Sequence, residues 1–448
     1  MKLFSLRILL GFAILVTGMF CLQKSAVAQT QSTDETGSVT PEKPPQIQEI
    51  TDAMARFRER DVEGALKYLE EASKKNPDLP PAHVMLASFY ERVKAPQGII
   101  QSLELGIQKY PDDPEAYILL SQIALRDRRV AEANLLLNKA NELLAKFDKS
   151  AKRKETLSNV VASGLAQVYQ LREDWATAQK YLEQWLKSDP KNAMALQRLA
   201  YVLFQQKNAQ AALEKLREAK NADSNVITPE ATLALFYQQY PDPENAKKWM
   251  AAALSAAPKD LRTQLLAANL ALENGQLDEA QTRAKTAMQI DPKSLEAKII
   301  RGTIALFQKD YKSAEDYLES AHIQSPGNFS AYNNLALALI EQKDQSKKRR
   351  ALEIAEGNVR QYRNSSDAAS TLGWILYKLG RLEDADTALQ TAISAGTFSA
   401  DTGYYAAVVA SERGRKEEAK RLLQMALKST SPFPMKQDAA ALLEKLSK

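Results

Sequence analysis

Ala178, Ala212, Ala246, Ala280 and Ala314 follow one another at intervals of 34 residues. The interval is 34 again from Ala351 to Ala385 and from Ala385 to Ala419, and Ala65 to Ala133 is twice 34, with Ile99 at the intermediate place. A period held over that length requires one small unit stacked many times, because each copy buries its apolar face against its neighbours. A single globule around one central core would impose no such period.

The content of one unit shows what is stacked. In GQLDEAQTRAKTAMQIDP, residues 275–292, Ala280, Ala284 and Ala287 lie on one stripe of a helix, since steps of four and three residues return to the same face. The preceding LRTQLLAANLALENG predicts a second helix with Ala267, Ala268 and Ala271 on its stripe. Small residues on both stripes let two antiparallel helices approach closely. Gly275 can end the first helix in a left-handed conformation, and Pro292 cannot continue the second. Pro77, Pro111, Pro190, Pro258 and Pro326 punctuate other units in the same way. From Ile50 onward the apolar residues keep helical spacing and strand signal is scarce.

Paired helices of this kind at a 34-residue period resemble the tetratricopeptide repeat, over about residues 47–430. In the best matched unit, 366–397, Leu372, Gly373 and Leu376 on the first helix face Ala385, Leu389 and Ala392 on the second. In 193–224 the corresponding residues are Leu199, Ala200 and Leu203, then Ala212, Leu216 and Ala219. The resemblance implies an all-α, right-handed α-solenoid of about eleven helix pairs. The closing KQDAAALLEKLSK, within 431–448, is expected to be a capping helix over the open face of the last unit.

Two intervals depart from the period. Ala133 to Ala178 is 45, an excess of eleven residues in NKANELLAKFDKSAKRKETLSNV. Eleven residues make close to three turns at about 3.6 residues per turn, so longer helices can absorb them without rotating the next stripe. Ala314 to Ala351 has an excess of three in EQKDQSKKRRALE, which reads as an enlarged basic loop carrying Lys347, Lys348, Arg349 and Arg350. Insertions in solenoids map to loops and can form contact surfaces; a tolerated surface excursion is the plainer reading of both.

Residues 1–28 predict a secretory signal peptide. Lys2 and Arg7 precede an uncharged run over 8–22, and Ala26 and Ala28 stand before Gln29. That run is short against the roughly 20 residues needed to span a membrane; the rival expectation is an inner-membrane anchor through residues 3–22. Cleavage after Ala28 would remove the only cysteine, Cys21, and the three charges of Lys2, Arg7 and Lys24, taking the formal charge from +5 to +2. No thiol would remain for disulfide, metal or nucleophilic chemistry. Residues 29–48 are polar and proline-bearing and predict a flexible linker. Modest basicity and export both argue against a nucleic-acid partner. The expected location is periplasmic or extracellular, with membrane association only through an uncleaved leader or through a partner.

The residues that carry chemistry are sparse. There are two histidines: His83 falls where a first helix should pack on its neighbour, and His322 near the surface end of a second helix. Neither H-E-x-x-H nor a phosphate-cradling G-x-x-x-x-G-K-[ST] is present. Acidic pairs such as Asp112 with Asp113, or Glu417 with Glu418, sit at loops and helix starts, where carboxylates complement the helix dipole. No catalytic residue, metal ligand or cofactor is therefore assigned, and an enzyme is not expected.

In the tetratricopeptide family one stripe of each first helix packs on neighbours and another lines a concave surface. By that division Met194, Gln197, Tyr201 and Phe204 form the second stripe of one unit, and Asp367, Ser370, Trp374 and Tyr377 that of another, with Asn333 and Tyr404 at related places. Aromatic and amide residues in a groove suit peptide recognition, and extra core packing is the competing reading. The family's carboxylate clamp is not expected: Asn269 and Asn334 occupy asparagine places, but Leu265 stands where a lysine is required, and Glu296 and Ile300 replace cations. The expected function is an exported scaffold that binds a peptide or helix of a partner protein on its concave surface. The alternative is a cell-envelope assembly factor, in polysaccharide export or outer-membrane biogenesis, that recruits other machinery.

Overall fold

The computed structural model describes residues 47–240, 242–394, 396 and 398–448. The expected signal peptide, and the expected linker as far as residue 46, lie outside them. Among the described residues there are helices and no strand. The first helix, α1 (Gln48–Arg58), already includes Gln48, so the linker's expected end is one residue too late.

The chain divides into two compact units at 248/249. In the first, α1 pairs with α2 (Val62–Lys75), α3 (Ala82–Arg92) with α4 (Pro96–Lys109), and α5 (Glu115–Arg126) with α6 (Val130–Lys146). The series continues with α7 (Ala151–Leu171) on α8 (Trp175–Ser188), α9 (Ala193–Gln205) on α10 (Ala209–Ala222), and α11 (Pro229–Gln239). The boundary falls inside α12 (Pro243–Ala256). The second unit pairs α13 (Leu261–Glu273) with α14 (Leu277–Ile290), α15 (Leu295–Phe307) with α16 (Tyr311–Gln324), and α17 (Phe329–Ile340) with α18 (Gln345–Gln361). It closes with α19 (Ser366–Lys378) on α20 (Leu382–Ser394), α21 (Ala400–Glu412) on α22 (Lys416–Leu427), and a final helix, α23 (Lys436–Ser447). Each unit is a stack of helix hairpins, which is an α-solenoid.

The local structure explains the 34-residue period. In α13 to α16 the first helix has 13 residues, the second 14, and turns of three and four residues join them. The three-residue turn is the same device each time. Gly275 takes φ +71, its amide donates to the Leu272 carbonyl, and the Gln276 amide donates to the Ala271 carbonyl. This satisfies two orphan carbonyls of α13. Arg60, Lys94, Arg128, Glu173, Lys207 and Lys309 also adopt positive φ at this place. A left-handed non-glycine residue is strained by about 1 kcal/mol, and the capping bonds on either side offset that strain. At Asp61, Asp174, Asn208 and Asp310 the residue that follows also caps the next helix with its side chain.

Small residues set the spacing within a pair. Ala280, Ala284 and Ala287 are completely buried, as are Ala314 and Ala321 in the next second helix. Gly373 of α19 allows a close approach, since a methyl group there would lie 2.5 Å from Leu389 Cγ and 3.2 Å from the Ala385 carbonyl oxygen. Gly373→Ala is therefore expected to destabilise α19 and α20 by ~1–3 kcal/mol. Hydrogen exchange should show faster amide exchange across α19 to α22 and unchanged protection in α13 and α14, because a repeat acts mainly on its neighbours. Equal acceleration in both regions would contradict that local coupling.

In the second unit each first helix from α13 to α19 also touches the first helix of the following pair. First helices thus form an inner layer: α17 buries seven residues, whereas α16 buries Ala314, Leu318 and Ala321.

The two irregular intervals have structural causes. α6 is three residues longer than α10, and α7 eight residues longer than α9. Together these are the eleven extra residues, taken up as helix. The three extra residues before Ala351 are also helix, which corrects the expected basic loop. α18 starts at Gln345 and runs 17 residues, because Asp344 accepts from the amides of Ser346 (2.7 Å) and Lys347 (3.4 Å) and so caps the helix early.

Candidate functional site

The sequence-predicted aromatic residues fall into two groups, one in each unit. In the first, Tyr201 of α9 stands edge-on to Trp175 (6.0 Å between ring centres) and to Phe236 (5.3 Å). Phe204, one turn on, packs against Phe236 at 5.3 Å and against Tyr237 at 4.8 Å. Burial pushes the Tyr201 hydroxyl up to about 12. Tyr201 and Phe204 thus join α9 to α11 as packing residues, and Phe204 offers little surface to a partner. Gln197 remains partly exposed, its side-chain amide donating to the Ala193 carbonyl of its own helix (3.2 Å). Beside this group Arg198 is buried, and its guanidinium donates to Gln170 Oε1 and to the carbonyl and hydroxyl oxygens of Ser163.

Asn333 also departs from its expected place at a binding surface. It is buried in α17 and donates from Nδ2 to Thr371 Oγ1 of α19 at 2.9 Å. Of the basic residues, Lys347 Nζ reaches Glu315 at 2.5 Å and Arg350 reaches Glu319 at 2.7 Å. Half of the basic run is therefore neutralised against α16. Among the described residues Lys348 and Arg349 make no ion pair. His83 is buried, as expected of a core histidine, and burial lowers its pKa. His322 stacks on Tyr332 with 4.0 Å between ring centres.

The second group is different in kind, because it borders an open space. Trp374 of α19 stacks on Tyr377 (5.2 Å) and on Tyr405 (4.4 Å), with Tyr404 tilted beside it at 5.9 Å. Its indole Nε1 donates to Glu341 Oε1 at 2.9 Å, and the other oxygen of Glu341 receives Lys378 Nζ at 2.7 Å. Lys378 Nζ also lies 5.3 Å from the Trp374 ring centre, within cation–π range. Tyr377 and Tyr404 flank a cleft of about 310 Å³, and Tyr311, Val408 and Met435 complete its apolar lining.

The C-terminal segment forms one wall of that cleft. α23 packs on α22, and the same stretch reaches back across the first-helix layer. Asp438 pairs with Lys309 at 3.0 Å, and a methyl group at Gly275 would lie 3.5 Å from Pro432. Phe433 and Ala439 are buried in the core that also holds Trp374 and Tyr404. The helix read as a cap is thus also a lateral strap. Burial raises the hydroxyls of Tyr311 and Tyr404 to about 12, and Glu341 and Asp438 both add to the rise.

Sequence reasoning reached Trp374, Tyr377 and Tyr404 and missed Glu341, Lys378, Tyr311 and Asp438. The four-residue step from Trp374 to Lys378 was a usable signal, since it places both on one helix face. Nothing local connects Asp438 to Lys309, which precedes it by 129 residues.

A family model for the tetratricopeptide repeat matches residues 164–226 and 265–329. Over those two stretches the repeat is similar to the tetratricopeptide repeat. Proteins of this family generally mediate protein–protein interactions. Among solved structures the chain is similar to yeast Tom70, at 14% identity over 90% of this chain and 95% of that one, with a TM-score of 0.36. It is also similar to a tetratricopeptide repeat protein of Parabacteroides merdae, at 15% identity over 65% of this chain and 99% of that one, TM-score 0.39. A third is a tetratricopeptide-repeat protein of Thermus thermophilus, at 17% identity over 42% and 99%, TM-score 0.37. No curated protein matches the sequence. Among the described residues no helix is long and apolar enough to cross a membrane, and no cluster of three metal-ligating side chains occurs.

Proposed function

We propose that the chain is an interaction scaffold that holds an extended or helical segment of a partner protein against the first-helix layer of its second unit. The observation that carries this reading is the cleft between α19, α21 and α23, where the half-buried Tyr377 presents ring surface beside a space of about 310 Å³. Aromatic side chains supply large contact area at low entropic cost, which is why they dominate binding hot spots. The reading includes no catalytic role. It also includes export, on the strength of the leader-like residues 1–28, and service in the cell envelope, either as a scaffold or as an assembly factor that recruits other machinery.

A photo-reactive benzoylphenylalanine at Tyr377 or at Val408 tests it. Irradiated in the native envelope fraction, both positions are expected to label the same segment of one partner, while the same group at Ile323, exposed on α16, labels none. Labelling from Ile323 alone would move the site to the outer helices and end the proposal.

A further inference from the structure

We propose that this cleft selects a basic side chain, a lysine or arginine projecting from the partner segment, which takes up the Glu341 carboxylate and the Trp374 face now shared with Lys378. The inference rests on the binding-scaffold reading and specifies its ligand chemistry.

The cleft's charges balance in number but not in position. Glu341 is 11% exposed, whereas Lys378, its partner, is 32% exposed; Lys309 and Asp438 are exposed to a similar degree, 49% and 42%. The Glu341 carboxylate is therefore fixed and largely desolvated, whereas the Lys378 ammonium stands toward water on a flexible stem. The Trp374 indole N–H holds one Glu341 oxygen in place, so the acceptor cannot follow Lys378 if that side chain swings away. Burial raises the Tyr311 and Tyr404 hydroxyls, and both carboxylates add to that rise. Lys378 over the Trp374 ring is itself an internal example of the contact that a partner's cation would make. A cation between an aromatic face and a carboxylate is stabilised by the ring quadrupole and by Coulomb attraction together. A carboxylate placed there would face Glu341 across the same cleft. This is the reverse of a carboxylate clamp.

The test uses the full chain and four fluorescent twelve-residue peptides that are identical and uncharged except for a central arginine, lysine, glutamine or glutamate. The arginine and lysine peptides are expected to bind about tenfold more tightly than the glutamine peptide, with glutamate weakest and the preference falling as salt is raised. Glu341→Gln keeps an acceptor for Trp374 and should remove the preference. Lys378→Gln removes the internal competitor and should tighten the arginine peptide about threefold, a direction that simple loss of structure cannot produce. Equal binding of all four peptides by the wild type, or weaker arginine binding by Lys378→Gln, overturns the basic-residue inference and leaves the scaffold reading standing. Binding of none of the four overturns both.

Discussion

Arg153→Ala is expected to destabilise the first unit by about 3–5 kcal/mol, the range found when one partner of a buried ion network is removed. Arg153 sits in the first turn of α7, within the eleven-residue excess, and is buried. One guanidinium nitrogen lies 3.1 Å from both oxygens of Asp113 and 2.7 Å from Glu115, and the guanidinium carbon is 5.1 Å from the Phe147 ring centre. Burial pushes the Glu115 carboxyl up, and Arg153 works against that rise. Without the arginine, the Glu115 carboxyl keeps its burial and its repulsion by Asp113 and loses the cation that opposed both. The loss of stability should therefore be greatest above pH 7 and shrink toward pH 4. Denaturant unfolding at the two pH values measures it, and pairing the change with Asp113→Asn should recover a large part. A loss below ~1 kcal/mol at pH 8 would show that the inserted turn is not fastened through this network.

Asp401→Asn should act in the opposite direction. Asp401 opens α21, and burial, with Asp367 on α19 as a further cause, raises its carboxyl from 3.8 to about 7. A carboxyl raised in the folded state binds more protons there than in the unfolded chain between those two values. Stability from this group is thus present below about pH 4 and lost progressively up to about pH 7. The difference corresponds to at most ~4 kcal/mol. Asn should remove the penalty, so the variant is expected to be more stable than wild type at pH 8 and equal to it near pH 4. Thermal or denaturant unfolding across that interval gives the result directly. A variant that loses stability at pH 8 would mean that the ionised carboxylate is needed by its surroundings.

Much of the molecule could be read from the chain because its information is local and repeated. The alanine steps that predict Ala280, Ala284 and Ala287 on one stripe depend only on helix geometry, and those three residues are buried. The eleven-residue excess was legible for the same reason, since three helical turns leave the next stripe in phase. The three-residue excess was misread as a loop because a lone capping residue, Asp344, outweighs the loop-like composition of the segment. Among the candidate residues, pattern placed Trp374, Tyr377 and Tyr404 on one face of the first helices. It could not separate an open face from a packed one. Phe204 and Tyr377 occupy equivalent places, yet Phe204 is closed over by Phe236 and Tyr237, while Tyr377 borders a cleft.

The sequence by itself thus determined the helix pairs, their period and the scarcity of catalytic groups, all of which follow from spacing within some tens of residues. Only the tertiary structure decided that Arg153 meets Asp113 and Glu115, that Glu341 is held by Trp374, and that Asp438 returns to Lys309. Those contacts join residues brought together by stacking or by the fold-back of the last helix. The free energy of a charged pair depends on burial and distance, which the order of residues along the chain does not encode.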